Sequence, residues 1–330
     1  MSGIVRKLQK ILKSLLVTGL ILAIALGLVG QLVRDRSVIL ALFMYLPLPL
    51  IGLIAIGVDA IYRGQAVPKG RFVLGSLGLI ALIGSSLPMI GFGPGSRAGG
   101  GGVEISLLHW NVYWGGGRPS EPTRWASIRR EILSHPADLV VLSEAPGGGW
   151  IDQLVTDLGP GANRVQVEHV PGSTDWYRLV VCSKGPLRLV RSEKFTDGVG
   201  MVVEAEVRGR LVRLLVVDAR SNPLLPRSPR LNEIAAICRS ARASGEPIDL
   251  IVGDFNTIAR SLGFDAIEAE GYALASRSSK DWRGTFPSLL PVYDIDHVWV
   301  GSQFTVMESH LFTNLASDHR GQVARFVARD

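Results

Sequence analysis

The stretch Ile248–Asn256, IDLIVGDFN, decides the fold class of this chain. Its apolar run ends at Gly253, and the polar residues Asp254 and Asn256 follow at once. A short run of aliphatic residues bounded by glycine is typical of a buried strand. Open sheets gather ligands where strands end in loops, so polar residues here predict a functional site at the edge of an α/β sheet.

Similar apolar runs recur through the C-terminal two thirds of the chain. Two of them flank Arg208-Gly209-Arg210, which is a strong hairpin signal. Hairpins combined with helical crossovers predict mixed sheets with helices outside them, an α/β layered domain. The predicted strands are Ile105–Val112, Leu139–Ser143, Leu179–Ser183, Met201–Val207, Leu211–Val217, Ile248–Gly253, His297–Val300 and Val323–Val327, and the predicted helices are Arg124–Ser134, Ser228–Ala243 and Leu262–Glu270.

Polar residues stand at the ends of several predicted strands. Singly, each has an ordinary explanation as a turn residue, a surface charge or a helix cap. Together they suit a phosphate-ester hydrolase, because carboxylate and amide oxygens bind hard cations such as Mg²⁺ or Mn²⁺. A histidine beside a carboxylate suits the activation of water. The residues are Asn111, Glu144, Asp254, Asn256, Asp296, Asp318 and His319.

The ordered motifs resemble the signature of the endonuclease/exonuclease/phosphatase superfamily. They are His109-Trp110-Asn111-Val112, Ser143-Glu144, Gly253-Asp254-Phe255-Asn256, Ile295-Asp296-His297 and Ser317-Asp318-His319. The resemblance covers about residues 103–330 and implies two packed mixed β-sheets flanked by helices, a four-layer sandwich. It implies a hydrolase of nuclease, phosphodiesterase or phosphatase type that depends on Mg²⁺ or Mn²⁺.

The resemblance also implies the metal ligands. Glu144 would be the principal ligand, with Asn111 close to the metal and the phosphate and with Asp318 near the metal.

The later motifs carry the remaining implied roles. Asp254 and Asn256 would orient the nucleophile and hold the scissile phosphate. Asp296 would pair with His319, which would be the general base.

Two positions depart from the family pattern. Many members carry a histidine after the strand that ends here in Val217, where this chain offers Asp218 or Arg220. Arg220 could grip phosphate bidentately but could not donate a proton at neutral pH, and a surface charge is the alternative. Asp294 adds a further negative charge, which either binds a second cation or faces solvent.

The N-terminal third predicts a membrane anchor. Ser14–Val33, Val38–Val58 and Phe72–Phe92 are uncharged, mainly apolar runs of about 20 residues, enough for three transmembrane helices in residues 1–92. The alternatives are a cleaved signal peptide for the first run, or three buried helices of a soluble protein. This N-terminus resembles that of bacterial membrane-bound members of the superfamily.

The distribution of charge predicts the orientation. Residues 1–102 carry 10 basic and 2 acidic residues, while residues 103–330 carry 25 basic and 27 acidic residues. Basic residues cluster before the first run and, as Arg63, Lys69 and Arg71, in the second loop, which predicts that these segments face the cytoplasm. Three crossings of the inner membrane would then place the C-terminal domain outside the cytoplasm, beyond a glycine-rich linker at residues 93–102.

The substrate class stays open at this level. Nucleic acid, a phospholipid headgroup and a small phosphoester are all candidates, and the slightly acidic C-terminal domain weakens the case for processive DNA binding. Arg227 and Arg230 could still form a local basic patch beside Arg220. A catalytically impaired binding or scaffold module on the same fold is the alternative function. The two cysteines, Cys182 and Cys238, are expected to be buried, unpaired thiols, with one disulfide as the alternative.

Overall fold

The computed structural model describes residues 3–62, 72–91, 102–168 and 177–329. The chain divides into two compact units, Met1–Met89 and Ile90–Asp330. The predicted glycine-rich linker lies outside the described residues except for Gly102, and so do the three basic residues of the second predicted loop.

The first unit is helical. Its helices are α1 (Gly3–Val33), α2 (Val38–Met44), α3 (Leu48–Tyr62) and α4 (Val73–Ser86), followed by a 3₁₀ turn at Leu87–Met89. Small residues bring the helices together: a Cβ added at Gly52 of α3 would lie 2.5 Å from the carbonyl oxygen of Gly78 in α4. Most of the large apolar side chains that the described residues expose belong to this unit.

One described helix, Ile4–Val33, is long and apolar enough to cross a membrane. The second predicted span is divided just before Pro47 into α2 and α3, which bend by 53°. Proline cannot donate a helical hydrogen bond and disfavours helix in the residue before it. The 14-residue α4 rises only about 21 Å, short of the roughly 30 Å hydrocarbon core. The prediction of three full spans is therefore wrong for the described residues.

The second unit contains two six-stranded sheets. Their strand orders are β11-β12-β1-β2-β4-β3 and β5-β6-β7-β8-β10-β9. Each sheet is mixed, because β1 pairs with β2 and β7 with β8 in parallel while the other neighbours are antiparallel. The strands are β1 (Glu104–Asn111), β2 (Leu139–Ser143), β3 (Asn163–Val167), β4 (Leu179–Ser183), β5 (Leu187–Phe195), β6 (Gly198–Val207), β7 (Arg210–Ala219), β8 (Leu250–Asp254), β9 (Tyr272–Leu274), β10 (Asp296–Gly301), β11 (Phe304–Phe312) and β12 (Gly321–Ala328).

Helices cover the outer face of each sheet. An apolar core lies between the two sheets, a second under α6 and α7, and a third under α8 and α9. The predicted two packed mixed sheets flanked by helices are therefore confirmed. The helices are α5 (Tyr113–Gly116, a single turn), α6 (Pro122–Ser134), α7 (Gly148–Leu158), α8 (Ser228–Ala243) and α9 (Phe264–Ala269), with a 3₁₀ turn at Ala275–Ser278.

Two local predictions are also confirmed. Arg208 and Gly209 have φ of 52° and 79°, the positive values that a two-residue type I′ hairpin requires between β6 and β7. Cys182 and Cys238 are both buried and both free.

Candidate active site

Alternation along the strands brings polar side chains to one end of the space between the sheets. Successive strand residues point to opposite faces, so a residue two positions from a core residue shares its face. In β7 the core residues Leu214 and Val216 are followed by Asp218. The same spacing places Asp254 after Val252, Asp296 before Val298, and Asn111 four residues after Leu107.

Asp218, Asp254 and Asp296 form a row of buried carboxylates across β7, β8 and β10. Asp254 is the register partner of Asp218 on one side and of Asp296 on the other. Burial and the nearby carboxylate of Asp254 raise the pKa of Asp218 well above its usual value. Burial and Asp296 likewise raise the pKa of Asp254. Such a row favours bound protons or a cation, because adjacent like charges resist joint ionisation.

The turn at Gly253–Asn256 closes β8 and is hydrogen-bonded to the end of the neighbouring strand β7. A Cβ added at Gly253, where φ is 151°, would lie 1.8 Å from the carbonyl oxygen of Val217, so only glycine fits. The backbone N–H of Asn256 donates to Asp254 Oδ1 at 2.8 Å, and Asn256 Nδ2 donates to the carbonyl of Ala219 at 2.7 Å. The turn thus fixes the orientation of the Asp254 carboxylate.

His319 and Asp296 form a buried hydrogen-bonded pair. Nδ1 of His319 lies 2.8 Å from Asp296 Oδ2, and Nε2 lies 4.0 Å from Asp254 Oδ2. The indole of Trp110 donates to the His319 carbonyl at 2.9 Å, and the His319 N–H donates to Ser317 Oγ at 3.1 Å. These backbone contacts hold the imidazole with Nε2 towards the carboxylate row.

The charge state of His319 follows from this setting. Burial alone would lower its pKa, but the carboxylates of Asp296, Asp254 and Asp318 outweigh burial and raise the pKa of His319 to about 10. Burial acts on Asp296 in the opposite sense, yet the charge and hydrogen bond of His319 lower the pKa of Asp296. The pair is therefore an imidazolium–carboxylate pair at neutral pH when no cation is bound.

The donor set fits a hard divalent cation. Asp254, Asp296 and His319 offer ligand atoms that all lie within 4.8 Å of one another. Among the described residues, the buried carboxylate oxygens Asp218 Oδ2, Asp296 Oδ1 and Asp318 Oδ1 have no hydrogen-bond partner. Carboxylate oxygens are the ligands that Mg²⁺ and Mn²⁺ prefer.

Asn111 connects Glu144 to this group. Its Nδ2 donates to Asp254 Oδ2 at 3.0 Å, and its side chain also lowers the pKa of Glu144. Glu144 itself lies outside the three-residue group and leaves β2 with φ of 47°. Burial raises the pKa of Glu144, and the charge of Asp318 adds to this effect while His319 opposes it. The predicted ligands Glu144, Asn111 and Asp318 therefore share one electrostatic environment with His319.

At the end of β7, where many members of the family that the sequence resembles carry a histidine, this chain directs the side chain of Asp218 into the site. Arg220 is exposed just beyond the strand. Its N–H donates to the Asp197 carbonyl at 3.0 Å, and its carbonyl accepts from Arg230 at 3.1 Å. The role of the Arg220 guanidinium at the phosphate stays a prediction.

The predicted surface patch of Arg227 and Arg230 is wrong, and so is the predicted exposure of Asp294. Arg227 and Arg230 form no surface patch, because both side chains are buried and donate hydrogen bonds to backbone carbonyls. The guanidinium of Arg230 donates to the carbonyl oxygen of Phe255 at 2.7 Å. Asp294 does not face solvent, and a second cation at its carboxylate stays a prediction. It is buried, and its carboxylate lies 4.0 Å from the guanidinium of Arg283.

A left-handed turn, α5, adjoins the site and was not predicted. Tyr113 and Trp114 have φ of 44° and 57°, and Gly115 and Gly116 continue the turn with 81° and 94°. Each non-glycine residue in this conformation costs about 1–2 kcal/mol. The Trp114 N–H donates to the Glu144 carbonyl at 2.6 Å, which anchors the turn on the site. The glycine run after Trp114 was the one signal in the sequence that could have indicated it.

Comparison with known proteins agrees with this geometry. A model of the Endonuclease/Exonuclease/phosphatase family matches residues 108–319. The chain therefore belongs to the Endonuclease/Exonuclease/phosphatase family. No curated protein gave a significant match.

Solved structures show the same fold at low identity. A family protein from Bacteroides thetaiotaomicron is 14% identical, with a TM-score of 0.54 over 69% of this chain and 99% of that chain. The mannosyl-6-phosphatase of the same organism is 14% identical, with a TM-score of 0.51 over 68% and 99%. The human Nocturnin catalytic domain with bound sulfate is 18% identical, with a TM-score of 0.51 over 68% and 94%.

Proposed function

We propose that this chain is a metal-dependent hydrolase of phosphate esters that its first unit anchors to a membrane. The observation that carries the proposal is the row of buried carboxylates of Asp218, Asp254 and Asp296 beside the hydrogen-bonded pair of His319 and Asp296. Membership of a family described by nucleases and phosphatases supports a hydrolase. The mannosyl-6-phosphatase shares the fold and is consistent with chemistry at phosphate.

The cation in this proposal is Mg²⁺ or Mn²⁺. Glu144 and Asp254 would hold it, with Asn111 and Asp318 beside them. When bound, a divalent cation neutralises phosphate charge and lowers the pKa of a coordinated water. Asp254 is suited to orient the nucleophile because the amides of Asn111 and Asn256 fix both of its oxygens.

His319 acts as the general base in this proposal. Its Nδ1–H donates to Asp296, which leaves Nε2 to accept the proton of the attacking water. A bound divalent cation would offset the carboxylate charges that stabilise the imidazolium and would therefore favour the neutral form of His319. Arg220 would contact the phosphate oxygens.

The membrane anchor in this proposal is α1. The helix exposes large apolar side chains such as Leu12, Leu22 and Leu32, and this outward apolar surface suits lipid. Basic residues before the apolar run predict a cytoplasmic N-terminus. A single crossing by α1 would place the second unit outside the cytoplasm, whereas a further crossing by the bent pair α2–α3 would return it.

The substrate is proposed to be a phosphodiester or phosphomonoester of a nucleic acid, a phospholipid or a small metabolite. The test uses the full chain in detergent micelles with Mg²⁺ or Mn²⁺ and three substrates: bis-p-nitrophenyl phosphate, plasmid DNA and sphingomyelin vesicles. Turnover should require the metal and should be lost in Glu144→Gln and His319→Gln. His310→Gln, in β11 and outside the site, is the matched control and should retain activity.

Absence of turnover on all three substrates, together with no heat of metal binding in calorimetry, would refute the proposal. Orientation is tested separately by fusing alkaline phosphatase to the C-terminus in bacterial cells. An active fusion supports the extracytoplasmic location, and an inactive fusion that is nevertheless expressed contradicts it.

A further inference from the structure

The side chain of Arg118 packs on the turn α5, beside the proposed metal site. The guanidinium of Arg118 lies over the ring of Trp114, 3.8 Å from its centroid. Trp114 is only 8% exposed, so its ring offers a fixed surface rather than a mobile one. Arginine stacked on an aromatic ring keeps its N–H groups in the guanidinium plane, where they can still donate.

The turn is tied to two proposed site residues at once. The Tyr113 N–H donates to Asn111 Oδ1 at 3.0 Å, and the Trp114 N–H donates to the Glu144 carbonyl at 2.6 Å. A Cβ added at Gly116 would meet Arg124 Cβ at 2.4 Å, so the left-handed path is also enforced by packing. The position of Trp114 is therefore coupled to Asn111 and Glu144.

The Trp114 ring is the one close side-chain partner that the described residues offer to the Arg118 guanidinium. Arg118 is exposed, and its guanidinium makes no hydrogen bond or ion pair with any described residue. Arg178, by contrast, also approaches the Trp114 ring, at 5.5 Å, but donates to the Ala145 carbonyl and pairs with Glu168. Arg118 also lies within electrostatic range of the Glu144 carboxylate.

We propose that Arg118, held on Trp114 by the left-handed turn, binds a second anionic group of the substrate next to the scissile phosphate ester. The inference rests on the proposed function and narrows it to substrates with two neighbouring phosphates. A guanidinium matches a phosphate with two parallel hydrogen bonds, which a single exposed cation on a flexible stem would not orient. A nucleic-acid strand and a small bisphosphate both supply this chemistry.

Binding measurements test the inference without requiring turnover. The full chain in detergent micelles, loaded with Mg²⁺, is titrated by calorimetry with thymidine 3′,5′-bisphosphate and with thymidine 5′-monophosphate. We expect the bisphosphate to bind roughly ten-fold more tightly, the range of one charge-assisted contact. In Arg118→Gln this preference should vanish while the affinity for the monophosphate is unchanged.

Further variants and ligands separate the possible results. Arg118→Lys should retain part of the preference, and Arg239→Gln, an exposed arginine on α8, should retain all of it. Fructose 1,6-bisphosphate and fructose 6-phosphate form a second ligand pair: a preference in both pairs indicates a phosphate subsite, and one confined to the nucleotides indicates a nucleic-acid strand.

Equal affinity of the wild type for the two members of each pair overturns the inference, as does a preference that survives in Arg118→Gln. Hydrolysis of bis-p-nitrophenyl phosphate by the same preparation shows in that case that the proposed function still stands.

Discussion

The pairing of His319 with Asp296 predicts an unusual titration. The surrounding carboxylates raise the pKa of His319 from 6.5 to about 10 in spite of burial. One pKa unit corresponds to about 1.4 kcal/mol, so the site favours the imidazolium by roughly 5 kcal/mol at most. Asp296 contributes the largest part, because it supplies both a charge and the hydrogen bond at 2.8 Å.

Asp296→Asn removes that charge with little change in shape. Burial then dominates, and we expect the pKa of His319 to fall to the ordinary histidine range or below it. Asp294→Asn is the matched control, since Asp294 is equally buried but lies beside Arg283 rather than His319. The control should leave the titration of His319 unchanged.

The assay is a ¹³C NMR titration of the metal-free full chain with labelled histidine. The chain has 6 histidines, and His319→Gln identifies the signal of His319. In the wild type that imidazole should stay protonated through neutral pH, and Mg²⁺ should lower its pKa. A wild-type His319 that titrates near 6.5, or an Asp296→Asn variant with an unchanged titration, would refute the reasoning.

The same pKa shift determines how stability depends on pH. A histidine whose pKa is higher in the folded state stabilises the fold fully below its unfolded pKa of 6.5, and this contribution is lost as pH rises towards about 10. The free energy of unfolding of the metal-free protein, measured with denaturant, should therefore decrease between pH 6.5 and about pH 10. In Asp296→Asn this decrease should be much smaller.

Three further predictions concern neighbouring positions. Glu144→Gln should weaken Mg²⁺ binding at least about ten-fold in calorimetry without changing the circular dichroism spectrum, and an unchanged affinity would remove Glu144 from the ligand set. Asp218→Asn should stabilise the metal-free protein at pH 7 by about 1–3 kcal/mol, because burial and the neighbouring carboxylates disfavour the ionised form of Asp218 in the folded protein, whereas the unfolded side chain ionises above its usual pKa of 3.8. Denaturation at pH 7 and below 3.8 checks this, since the gain should disappear at the lower pH. Gly253→Ala should lower the free energy of unfolding by about 3 kcal/mol, because the added Cβ would collide with the Val217 carbonyl. The control Gly209→Ala should lower it by about 1 kcal/mol, since Gly209 has a positive φ but open space around it. Equal losses in thermal unfolding would contradict the steric argument.

The sequence predicted the inner strands and missed the outer ones. The four missed strands, β3, β5, β9 and β11, are the four edges of the two sheets. Edge strands are often very short or carry charges that discourage further pairing, so they lack the continuous apolar run that marked the inner strands; β9 has only three residues. In β5, LRLVRSEKF, four of the nine residues are charged.

The candidate site was predictable to the extent that it depends on strand parity. Residues two apart share a face, so the motif residues at the ends of β1, β7, β8 and β10 converge once the strands are correctly registered. The carboxylate row follows from that geometry. The burial of Arg230 and Asp294 could not be predicted from strand parity. It depends on which backbone carbonyl or guanidinium lies opposite each side chain in the folded chain.

The turn α5 shows where sequence reasoning stops. Nothing in Tyr113 or Trp114 favours a left-handed conformation, and the conformation persists because hydrogen bonds to Asn111 and Glu144 outweigh its cost. Strain that is held in this way next to a proposed catalytic group is expected where a side chain must be aimed. The side chain aimed here is that of Trp114, and Arg118 rests on it. Substrate preference in this chain should therefore depend on a segment that carries none of the family motifs.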